Sequence, residues 1–145
     1  MSGTIPAFAK INWVGEGRFD AGRPEGPYVR LDSSGATGPS PVDALLSALG
    51  SCAAVDVVDI LAKRRTPVTS LTVDVQAERV DATPRRLARA TLNFVIEGAG
   101  VERPHAERAI DMSVNKYCSV RDSLRSDIPV DWTLTLNGET PPAAS

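Results

Sequence analysis

The chain has 145 residues, of which 42% are hydrophobic and 23% charged, with a formal net charge of −2. That length supports one domain with its own core, and the charge lacks the concentrated basic field that nucleic-acid phosphates require. No apolar run is read as approaching the roughly 20 residues of a membrane span, and Met1 to Lys10 lacks the pattern of a secretory signal. A cytoplasmic protein with neither nucleic-acid nor membrane partner is expected.

The first 32 residues read as three short strands, including Ile11 to Val14 and Tyr28 to Leu31, joined by glycine-containing turns. Ser33 to Pro41, SSGATGPSP, is a loop ending at a helix start: Ser40 as N-cap, Pro41 in the first turn, Asp43 three past the cap. From Pro41 to about Arg65 apolar residues recur so densely that little polar face remains, the mark of a buried helix. Leu71 to Glu78 and Ala90 to Glu97 alternate as half-buried strands, and VDATPRRLAR between them reads as a hairpin-like connection. Pro104 opens a second helix with Ala106, Ile110, Ser113, Val114 and Tyr117 on one face. A break near Cys118 precedes a short helix, for which Ser119 and Asp122 form a capping box. Val130 to Leu136 alternates as a last strand closed by Asn137-Gly138, and the tail from Glu139 to Ser145 is expected to be disordered. The order β-β-β, long helix, β-β, helix, short helix, β predicts a single α+β domain with mainly antiparallel sheets.

Two cysteines, Cys52 and Cys118, are the chemically informative residues. Cytosolic thiols are kept reduced, so such a pair is either core filler or a functional dithiol. His105 is the only histidine, which leaves no usual ligand set for zinc, and no cofactor is called for. Cys52 falls midway along the long helix beside Gly50 and Ser51. Cys118 falls before a helix N-terminus with Lys116 and Arg121 nearby, a setting that favours a thiolate. Sixty-six residues separate the two, and spacing alone leaves open whether the sulfurs meet. Asp56, four residues after Cys52, would raise a thiol pKa and is given no catalytic role; His105 is expected to be exposed.

The segments SPVDALLSALGSCAAVDVVDILAKRR and VNKYCSVRDSL, in this order and separation, resemble the osmotically inducible protein C / organic hydroperoxide resistance (OsmC/Ohr) family, over roughly Ile11 to Leu136. The similarity is closest to the branch with KYCSV at the second cysteine. The resemblance implies an intertwined homodimer with central helices packed on sheets from both chains. It also implies that Cys52 attacks an organic hydroperoxide, that Cys118 resolves the sulfenic acid as a disulfide, and that an external dithiol, such as a dihydrolipoyl group, restores the thiols. The family's assisting arginine corresponds to Arg30, with Arg18 as the other candidate, and its helix-start glutamate to Asp43. Capping is a sufficient second reading of Asp43, and a surface position of either arginine. The alternative function is a non-catalytic dimer of this fold that binds a small apolar ligand or senses redox state.

Overall fold

A computed structural model describes residues 3 to 140. The chain forms two compact units, one up to Leu45 and one from Leu46 onward. The sequence shows no linker between them, because the division falls inside a helix, α1 (Pro41–Lys63).

In the first unit, β1 (Lys10–Gly15), β2 (Arg18–Gly22) and β3 (Tyr28–Asp32) form an antiparallel sheet in sequence order. The register aligns Ile11, Ala21 and Val29, then Trp13, Phe19 and Leu31. Since cross-strand partners share a face, one side of this sheet is apolar. Ile11, Trp13 and Val29 on that side are nonetheless exposed in the single chain, at 59%, 67% and 61%. The loop after β3 is organised by buried Asp32, whose carboxylate accepts bonds from the backbone N–H and hydroxyl of both Ser34 and Thr37, at 2.7–3.0 Å. It also passes so close to Arg30 that a Cβ at Gly38 would collide with the Arg30 carbonyl. α1 then starts as expected: Ser40 Oγ accepts from Asp43 N–H at 3.2 Å, and the Asp43 carboxylate accepts from Ser40 N–H at 3.4 Å.

In the second unit, β4 (Ser70–Arg79), β5 (Leu87–Glu97) and β6 (Val130–Leu136) form the other sheet in sequence order. β4 and β5 make a long antiparallel hairpin, but β5 and β6 run parallel. The mainly antiparallel expectation holds for the other three pairings, and this one is the exception. The connection through α2 (Arg103–Met112), a π-helical turn (Ser113–Tyr117) and α3 (Ser119–Ser123) is a crossover, which returns the chain in the same direction.

The sheet's inner face, with Leu92, Phe94, Ile96 and Leu134, shares one core with Leu49, Ala53, Val57 and Leu61 of α1 and Ala106, Ile110 and Val114 from the second helical segment. The α1 residues recur every fourth position and so form one stripe. Gly50 lets this stripe approach β4, since a Cβ there would lie 2.9 Å from Val75 Cγ2. Only that stripe and Gly50 are buried; Val55 and Val58 are exposed, so the fully buried helix read from the sequence is half covered in one chain. By length and composition α1 is also apolar enough to cross a membrane, which corrects the expectation of no such run. Its stripe instead packs on a sheet, as the core helix of a folded unit does.

α1 ends where Arg65 turns left-handed (φ 64°) and Thr66 N–H reaches back to the Leu61 carbonyl. His105, expected to be exposed, is half-buried, with Arg64 at 2.9–3.0 Å and Glu102 at 3.5 Å. Glu139, first residue of the expected disordered tail, pairs back on Leu136; the tail beyond residue 140 lies outside the described residues.

Candidate active site

α1 carries Cys52 at the margin of its buried stripe, so this thiol is half-buried. Cys118 is delivered by a less regular route. α2 buries Ala106, Ala109 and Ile110, and the π-helical turn then adds residues to one turn before the chain breaks. Regular helical spacing would put Tyr117 on the inner face, as the sequence suggests. The wider turn exposes Tyr117 and buries Cys118 at 3% exposure.

The two thiols are free and neighbours, with Cys52 packed on the core that holds Cys118 and close enough to act on its titration, so the fold brings together what spacing left open. The Cys118 S–H donates to the Leu49 carbonyl of α1 at 4.0 Å, and its sulfur accepts from the Arg121 N–H at 3.4 Å. Cys118 is therefore the N-cap of α3 itself, in place of the expected Ser119–Asp122 box.

The electrostatics of Cys118 also differ from the sequence reading. Burial pushes its pKa above the ordinary thiol value, with the neighbouring Cys52 adding to the rise. The N–H groups of Arg121 and Val120 pull it down without overcoming burial. The expected cations do not act on it: Lys116 lies over the Tyr117 ring, and the Arg121 guanidinium donates to the carbonyls of Arg125 and Ile128. A helix of one turn has little dipole to add. Cys118 is thus a protonated thiol beside a more accessible one.

The other residues expected from the sequence, Arg30, Arg18 and Asp43, lie in the first unit. Arg30 pairs with Asp20 across the β2–β3 register, Nε to Oδ1 at 2.6 Å, and holds the Asp20 carboxyl below its usual range. Arg18 lies 3.6 Å from Glu16, while its buried Nε has no hydrogen-bond partner among the described residues. Asp43 serves in the α1 cap. Sequence reasoning missed Asp32, which fixes the loop between Arg30 and Asp43; the signal was an aspartate followed by Ser34 and Thr37, residues whose hydroxyls and N–H groups close such loops.

A family model, described as OsmC-like protein, matches residues 33 to 133. Protein YhfA of Escherichia coli K12 is 36% identical over 113 residues, covering 77% of this chain and 84% of its own. The fold is shared with a hypothetical protein from Aquifex aeolicus (TM-score 0.78, 24% identity, 92% of this chain and 99% of that one). It is also shared with the organic hydroperoxide resistance protein OhrB of Bacillus subtilis (TM-score 0.60, 13% identity, 89% and 98%). Both cysteines, the π-helical turn and the loop from Ser33 lie within the matched region, and the chain belongs to the OsmC-like family.

Proposed function

We propose that this protein reduces organic hydroperoxides through Cys52 and Cys118. The observation that carries the reading is a pair of free, neighbouring thiols, one half-buried and one buried with its pKa raised above the ordinary thiol value. The substrate class is that of the family, which includes organic hydroperoxide resistance proteins.

The Cys52 thiolate attacks the terminal peroxide oxygen: the S–O bond forms, the O–O bond breaks, and the alkoxide leaves as an alcohol on taking a proton. The Cys118 sulfur then attacks the Cys52 sulfenic acid, forming the S–S bond and breaking S–O. The departing hydroxide takes the Cys118 proton and leaves as water. An external dithiol, for which dihydrolipoamide is the probe, is oxidised as it reduces the disulfide. The order of roles follows exposure: an incoming peroxide reaches Cys52 before Cys118. A cycle run on free thiols suits the reducing cytoplasm.

Arg30 and Asp43 are proposed to assist Cys52, with Arg18 as the other arginine. The working form is proposed to be a homodimer, because the apolar face of the first sheet and the outer side of α1 are uncovered in one chain.

Intact-mass spectrometry before and after one equivalent of cumene hydroperoxide tests the assignment. The wild type is expected to lose two hydrogens and regain them with dihydrolipoamide. Cys52→Ser is expected to be inert, and Cys118→Ser to accumulate one added oxygen. An unreactive wild type would remove the activity, and retained turnover in Cys52→Ser would remove Cys52 from the mechanism.

A further inference from the structure

We propose that Arg121 is the positioning residue that fits Cys118 for sulfur exchange: its guanidinium clamps α3 to the segment before β6 and so holds its own backbone N–H on the Cys118 sulfur. The inference deepens the dithiol reading above and rests on it for its biological meaning. The clamp has two arms, Nη1 to the Arg125 carbonyl at 3.2 Å and Nη2 to the Ile128 carbonyl at 2.8 Å. Ile128 is buried, so the far anchor is fixed. α3 is only five residues long and too short to hold its own geometry. The N–H bonded to sulfur belongs to the clamping residue, so the two functions are mechanically one.

The chemistry needs that N–H when the disulfide is opened. A thiolate of the external dithiol attacks the more accessible Cys52 sulfur and forms a mixed disulfide. The Cys52–Cys118 bond breaks, and Cys118 leaves with the electron pair. A leaving thiolate departs faster the better its charge is stabilised. The groups acting on Cys118 are few: the Arg121 and Val120 N–H groups favour its charge, while burial and Cys52 oppose it. The thiolate then takes a proton, and the resulting S–H returns to the Leu49 carbonyl. A planar guanidinium spans two carbonyls in a fixed fork, which a lysine ammonium does not reproduce.

Arg121→Met and Arg121→Lys test the clamp by two readouts that use no peroxide. In the first, the disulfide is made with diamide and reduced with dithiothreitol. Reduction is expected to slow roughly tenfold in Arg121→Met, the equivalent of one pKa unit, and by less in Arg121→Lys. In the second, iodoacetamide labelling of Cys118 is followed against pH in a Cys52→Ser background. Its midpoint is expected to rise by about one unit with Met and partway with Lys. A lower melting temperature with an unmoved midpoint would make Arg121 merely structural and overturn the proposal. Should Arg121→Met not fold, an unmoved midpoint in folded Arg121→Lys overturns it equally. The labelling readout stands even if hydroperoxide reduction fails, so the two failures are distinguishable.

Discussion

Two residues of one type acquire different chemistry here because their surroundings differ. Cys118 is enclosed by the core and capped by a backbone N–H, and burial dominates. Its raised pKa has a consequence for stability. The native state keeps the proton where the unfolded thiol, near pH 8.5, gives it up. The contribution is therefore complete below about pH 8.5 and is lost as pH rises from there through the folded value. Under reducing conditions, urea midpoints of the wild type are expected to fall above that pH, and those of Cys118→Ser to fall less; parallel curves would contradict the assignment. Asp32 has the opposite sign. Bonds from Thr37 and Ser34 hold its carboxyl well below the usual range, so its contribution is present above the ordinary aspartate pKa and lost only in strong acid. Asp32→Asn is expected to open the Ser33–Ser40 loop to hydrogen exchange at neutral pH, because an amide cannot accept from four donors.

The element that decides the site is α1, and at Gly50 it lies close enough to β4 that an added Cβ would meet Val75. Alanine is the better helix former by about 1 kcal/mol, so propensity alone favours Gly50→Ala. Its Cβ would meet Val75 Cγ2, and valine has little rotamer freedom to withdraw it. Overpacking of this kind costs about 1–3 kcal/mol. Gly50→Ala is expected to lower the urea midpoint and to slow disulfide formation, since Leu49 and Cys52 flank the displaced turn. Adding Val75→Ala is expected to restore disulfide formation. A slow double variant would mean that the spacing of α1 and β4 does not set the thiol contact. The π-helical turn has the same standing on the other side of the site, since it determines that Cys118 faces the core.

At the scale of the molecule, a single chain leaves too much apolar surface uncovered. Ile11, Trp13 and Val29 share a face of the first sheet, and Val55 lies on the open side of α1. Patches of this kind mark surfaces that another chain covers. Light scattering at micromolar concentration is expected to give twice the chain mass, and Trp13→Asp with Val55→Asp to give the monomer. A monomeric wild type would leave the apolar faces without a partner and remove the proposed dimer.

By itself, the sequence determined the elements that depend on local rules: the Ser40–Asp43 cap, the densely apolar helix, the alternating strands and the Asn137-Gly138 stop. These signals lie within a few residues of the atoms they arrange, so they survive without tertiary context. The two cysteine segments likewise carried the family, which the match over residues 33 to 133 bears out. Tertiary structure alone decided the rest. The parallel pairing of β6 depends on a crossover rather than on the strand's own pattern. The burial of Cys118 and exposure of Tyr117 follow from a wider helical turn that periodicity cannot signal. The meeting of the two thiols required a whole sheet and two helices to close 66 residues of chain, and no local rule acts over that distance.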